Sequence, residues 1–166
     1  MGTLFQDLEP KTGFQLRLMK TMGYDVVCIG NHEFDYGPGK LADIINSGLK
    51  GGEIPPVLLG NAGFDEVDPA DDDLAKLFSS GTIAGKFILI RDGLKIGFFS
   101  LMGQVADENA AYAKPVTFAN QIKTAKKLVK ELQDEKCDII ICLSHSGVST
   151  DKTGNWPGKD DEMAAK

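Results

Sequence analysis

Apolar positions along the chain alternate between two rhythms. In "TGFQLRLMKTM", Thr12 to Met22, Phe14, Leu18 and Met22 recur at i, i+4 and i+8, which predicts a short helix with Gly23 as its stop. "YDVVCIG", Tyr24 to Gly30, is β-branched and apolar on both faces, as a buried parallel strand is. Pro38 can open a helix at its first turn, with Leu41, Ile44 and Ile45 as its apolar stripe and Gly48 as its end. "PPVLLGN", Pro55 to Asn61, reads as the next strand.

The acidic stretch "FDEVDPADDDLAKLFSSGT" reads as a solvated surface excursion with one helical turn around Leu74 to Phe78. Asp71, Asp72 and Asp73 lack the alternating ligand spacing of an EF-hand calcium loop. "KFILIRDGLKIGFFSL" reads as two strands around the tight turn Asp92-Gly93. Phe118 to Glu135 predicts the clearest helix, with Ile122, Ala125, Val129 and Leu132 on one face and lysines and acids on the other. "CDIIICLSH", Cys137 to His145, is a buried strand that ends in polar residues. The order of strands, hairpin and helices predicts an α/β fold, a mixed β-sheet flanked by helices, as one unit of 166 residues.

Charge narrows the partners. A formal net charge of -6 argues against nucleic acid, which wants a basic surface, but leaves room for a small phosphorylated substrate. The three cysteines, Cys28, Cys137 and Cys142, have neither zinc-site spacing nor a disulfide framework and read as small buried hydrophobes. No apolar run reaches the ~20 residues of a membrane span. Trp156, in the polar "TGNWPGKDDE", reads as a loop aromatic, with a place in a substrate cleft as the alternative.

The chain has two histidines, and both follow apolar strands: "VVCIG-NH" and "IIICLS-H". In open α/β sheets ligands bind at the carboxyl ends of strands, so His32 and His145 are expected at the same edge. Histidine serves as metal ligand or as general acid and base. Asp35 is placed to orient His32, and Asn31 offers a carbonyl oxygen suited to a divalent metal. Gly30 follows a strand, but no G-x-G-x-x-G opens the next helix, which leaves a dinucleotide-binding domain as the weakest reading.

"GNHEFDYG" resembles the signature of the 5'-nucleotidase family within the calcineurin-like metallophosphoesterases. The likeness continues through "PPVLLGNAGF", "GLKIGFFSLMG" and "KCDIIICLSHSGVSTD" and covers nearly the whole chain. It implies a part of the four-layer α/β/β/α metallophosphoesterase fold. It also implies that Asn31 and His145 are ligands of one of two divalent ions, zinc, manganese, iron or cobalt. His32 would stabilise charge on the scissile phosphate. Asp35 would pair with His32 and keep it protonated. A metal-activated water would be the nucleophile. Glu33 and Phe34 would serve loop geometry and packing. The substrate would be a small phosphate ester of the nucleotide class, and the compartment periplasmic, secreted or cell-surface, as for most relatives.

The family's Asp-x-His, Gly-Asp and Gly-His-x-His motifs do not occur in this sequence. "GTLFQ", Gly2 to Gln6, is similar to the segment after the Gly-Asp motif, and "DDEMAAK" to the helix after the second histidine. The chain is thus expected to be an internal part of the catalytic domain. Two neutral ligands hold a divalent ion poorly against water, so the chain by itself is expected not to retain metal and to be inactive or nearly so. An uncovered strand edge or apolar face would favour self-association. Two other readings stand beside this one. One is a non-catalytic α/β binding module. The other is a related hydrolase of 2',3'-cyclic nucleotides or nucleotide sugars.

Overall fold

The computed structural model describes residues 9–147. Trp156, Gly2 to Gln6 and "DDEMAAK" lie outside the described residues. The elements are α1 (Glu9–Thr12), α2 (Phe14–Thr21), β1 (Val27–Cys28), a 3-10 turn (Asn31–Phe34), α3 (Gly37–Gly51), β2 (Val57–Leu58) and β3 (Ala62–Gly63). A second 3-10 turn (Pro69–Asp71), α4 (Asp72–Ser79), β4 (Ile83–Ala84), β5 (Lys86–Arg91), β6 (Leu94–Met102) and α5 (Gln104–Glu108) come next. β7 (Thr117–Phe118), α6 (Gln121–Asp134) and β8 (Ile139–His145) complete the described chain.

The strands form two main sheets rather than one. The first is parallel, in the order β1-β2-β4. The second is mixed, in the order β5-β6-β8, with β5 and β6 antiparallel and β6 and β8 parallel. A small β3-β7 pair lies apart from both. The Asp92-Gly93 turn has φ of 52° and 81°, the double left-handed conformation that matches the twist of a two-residue hairpin. The parallel β6-β8 pair needs a crossover, and α6 supplies it.

Each sheet carries helices on one face. Leu41, Ile44 and Ile45 of α3, with Leu74 and Leu77 of α4, bury against Ile29, Val57 and Ile83. Leu128 and Leu132 of α6 bury against Phe99 and Leu101. Each such side chain taken out of water contributes about 1.5–3 kcal/mol. Each sheet thus has its own helices packed on it, in keeping with the four-layer expectation. The sheets meet where the chain after β2 changes partner. Leu59 N donates to Ala84 O at 2.9 Å, within the first sheet. The next residue, Gly60, donates to Ser100 O of β6 at 3.0 Å.

Several elements depart from expectation. The Phe14, Leu18 and Met22 stripe faces solvent, 50%, 42% and 65% exposed, and Leu16 is the buried residue. Gly13, at φ 51°, breaks the helix in two, and a Cβ there would lie 2.0 Å from Gly48 N, so backbone packs on backbone. The acidic excursion holds an eight-residue helix, α4, with Leu74 and Leu77 in the core. Its charge run is not wholly solvated, because Asp71 is buried and accepts from Asp65 N at 3.1 Å. Phe118 pairs in β7, so α6 begins at Gln121, where the Asn120 side chain caps it by accepting from Lys123 N. Ala125 and Val129 lie on the expected inner face, joined by Leu128. The cysteines are free but only half-buried, because Cys28 lies on an edge strand and the other two flank α6.

Candidate active site

The first half of the site hangs on β1. Val27 N donates to Pro56 O and Ile29 N to Leu58 O, which carries the strand to Gly30. There the backbone stays extended and then enters the 3-10 turn of Asn31–Phe34. Gly30 N donates to Glu33 Oε2 at 2.8 Å, closing the turn. Phe34 is fully buried, edge-on to Phe118 with ring centroids 5.7 Å apart. Glu33 and Phe34 thus serve loop geometry and packing. His32 Nδ1 lies 3.1 Å and 3.3 Å from the two oxygens of Asp35. The Asp35 carboxylate is partly covered and the imidazole is largely exposed, so the acid orients the ring. Burial, aided by the Glu33 charge, pushes the Cys28 thiol up, which keeps it a neutral packing group.

The second half comes from the other sheet. His145 is the last residue of β8 and lies opposite Met102 of β6. Its carbonyl accepts from Gly103 N at 3.1 Å. The neighbouring Ser146 Oγ donates to the buried Gln121 Oε1 at 3.2 Å and lies 3.2 Å from Ser144 Oγ. His145 Nε2 is 2.7 Å from Asn31 Oδ1. An amide oxygen only accepts, so Nε2 is the donor in this contact. Gly30 makes room for the ring, since a Cβ there would lie 2.9 Å from three of its atoms.

Asn31, His32, Ser144, His145 and Ser146 line one open cavity of about 630 Å³, with Asn109 as a further polar wall. The sequence-predicted Asn31, His32 and His145 meet there although Asn31 and His145 are 114 positions apart. Asp35 stands one step back and lines a neighbouring cleft with Tyr36 and Tyr112. The donors suit a divalent cation: one amide oxygen and one imidazole nitrogen, close enough to share an ion. They fit two positions of a site and do not complete it. Among the described residues no three His, Cys, Asp or Glu side chains gather to hold a metal. Burial pushes the carboxyl of Asp107, on α5 next to the cavity, up from its usual range, with the Lys114 charge opposing.

Sequence reasoning passed over Asn61, Gln121, Ser146 and Asn109. The signal for the first three was polarity inside apolar or helix-opening segments, which marks a buried hydrogen-bonded group. Nothing in the local pattern marks Asn109.

No protein-family model matches the chain. It is 30% identical over 141 residues to the 2',3'-cyclic-nucleotide 2'-phosphodiesterase/3'-nucleotidase of Salmonella typhimurium, an alignment covering 81% of this chain and 20% of that protein. Its fold matches the crystal structure of a 5'-nucleotidase precursor from Thermus thermophilus with a TM-score of 0.67 and 26% identity, over 87% of this chain and 26% of that one. The chain belongs to the family of 5'-nucleotidases and 2',3'-cyclic-nucleotide phosphodiesterases. Within that family it also matches the fold of the calcineurin-like phosphoesterase YfkN from Bacillus subtilis, with a TM-score of 0.61 and 20% identity over 93% of this chain and 45% of that one. The chain spans about a fifth of the Salmonella relative's length.

Proposed function

We propose that the chain is part of the catalytic domain of a divalent-metal-dependent phosphohydrolase acting on nucleotide phosphate esters. The observation that carries this reading is the meeting of Asn31 and His145 at 2.7 Å in the cavity that His32 also lines. On this reading Asn31 and His145 hold one ion of a pair, and the remaining ligands come from segments outside this chain. Bound divalent ions would supply Lewis-acid polarisation of the phosphate and activation of water. His32, its ring oriented by Asp35, stands over the same cavity to stabilise charge developing on a phosphate oxygen. The reading places the enzyme outside the cytoplasm, by analogy with its family. No described helix is long and apolar enough to cross a membrane.

The test is hydrolysis of a nucleoside monophosphate with added manganese or zinc, on the 166-residue chain and on the full reading frame that contains it. Turnover is expected in the full reading frame and close to none in the chain alone. Loss of one transition-state donor by His32→Ala should lower kcat by about 10²–10³. Silence of the full protein across several phosphate esters would replace this reading with the non-catalytic module. The cyclic-nucleotide activity in the Salmonella relative's name supports 2',3'-cyclic nucleotides as a second substrate class, to be assayed in parallel.

A further inference from the structure

The two residues that meet at 2.7 Å are carried by different sheets, Asn31 on the turn after β1 and His145 at the end of β8, and something must fix the separation of those sheets. Asn31 follows β1, which is laddered to β2, and β2 leads within three residues to Asn61. Asn61 is 3% exposed. Its Oδ1 accepts from Met102 N at 2.8 Å, and its Nδ2 donates to Met102 O at 2.9 Å. One amide side chain thus pairs with both backbone groups of a single residue, as a neighbouring strand would. That residue is the ladder partner of His145. Asn61 Nδ2 also donates to Ala119 O at 2.9 Å, just before the start of α6, where Gln121 holds Ser146 on the far side of His145.

We propose that Asn61 is the positioning residue of the active site, clamping the ladder partner of His145 so that the imidazole meets Asn31 across the two sheets. The inference rests on the proposed roles of Asn31 and His145. Gly60 makes the clamp feasible, because a Cβ there would lie 2.1 Å from Ser100 O and hold the strands apart. The chemistry requires an amide. A carboxylate of the same shape could still accept from Met102 N, but it would face the carbonyls of Met102 and Ala119 with no proton to offer. A buried acceptor set against two acceptors repels them.

The experiment reads geometry rather than turnover. In the wild-type chain, the NMR cross-peak between the Asn31 side-chain amide and the His145 ring should be present. Asn61→Asp at neutral pH should abolish it while the core methyls of Leu74 and Ile83 keep their shifts. Leu74→Ala serves as the control, a core truncation that lowers stability and is expected to keep the cross-peak. Retention of the cross-peak in folded Asn61→Asp would overturn the proposal. A second measurement needs no variant: hydrogen exchange in the wild type should show the Met102 and Gly103 amides opening together with Ile29 and Leu59. Fast, independent exchange at Met102 would overturn it equally. Failure of the proposed phosphohydrolase activity leaves both readouts intact, so the two ideas fail separately.

Discussion

At the residue scale the site is built as much by missing side chains as by present ones. Gly103 has φ -78° and ψ 161°, ordinary extended backbone that alanine adopts without strain. A Cβ at Gly103 would nonetheless lie 1.9 Å from Ser146 Oγ and 2.8 Å from Ser146 Cα. Gly103→Ala is therefore expected to cost about 1–3 kcal/mol by overpacking alone and to push the loop after His145 away from Gln121. Gly81 is the complementary case, with φ 77° and nothing within 4 Å of an added Cβ. Gly81→Ala should cost about 1–2 kcal/mol by backbone conformation alone and leave the Ser146–Gln121 bond in place. Thermal denaturation gives both costs, and the Ser146 amide shift should move only in Gly103→Ala. The functional residues were readable for a reason that these glycines do not share. His32 and His145 announced themselves as polar groups ending apolar strands. Gly103 follows a strand too, but its need for glycine comes from a residue 43 positions away, and local pattern holds no trace of that.

Elements were legible where one face repeated and illegible where tertiary contact chose among faces. α6 has the plainest stripe in the chain, yet it starts three residues later than periodicity implies, because Phe118 pairs in β7 and meets Phe34 edge-on. In α2 the apolar spacing marks the helix but not its inner face, since Gly13 packs backbone to backbone and Leu16 is the residue buried instead of the longer stripe. The C-terminal end of α6 carries an electrostatic tie to β5. Lys86 of β5 lies 2.8 Å from Glu131 and 2.7 Å from Glu135. The hydrogen bond from Lys86, then its charge and that of Lys127, hold the Glu131 carboxyl below its ordinary range, with burial opposing. A lowered folded-state value means stability that is fully present above the ordinary carboxylate range and lost as pH falls through the lowered value. Glu131 is more than a third exposed, so the tie is worth less than about 1 kcal/mol. The stability difference between wild type and Lys86→Met should therefore be small and constant near neutrality and shrink below about pH 4. A difference that grows on acidification would show that the acids are not held by Lys86.

At the scale of the whole molecule, the fold class was readable from the local pattern, while the division into two sheets was implied by the family resemblance alone. Strand pairing is settled by contacts that local patterning does not encode, and the change of partner between Leu59 and Gly60 happens within a run that reads as one strand. That division also sets which surfaces stay open. Ile140 and Cys142 face α6, so alternation turns Ile139 and Ile141 to the opposite face of β8, where they are 43% and 37% exposed. β8 stands at the edge of its sheet, with one side of its backbone unpaired by the other described strands. An edge strand with exposed isoleucines is a template for pairing with another chain. We expect the 166-residue chain to associate with itself as concentration rises, seen as a growing weight-average mass in sedimentation equilibrium. Ile141→Lys puts a charge on that face without touching the α6 core and should return the chain to monomer at the same concentration. A wild type that stays monomeric throughout would mean that this face is protected in solution. Association that Ile141→Lys leaves unchanged would move the contact to the exposed Phe14, Leu18 and Met22 stripe of α2, which a lysine at Leu18 would then test.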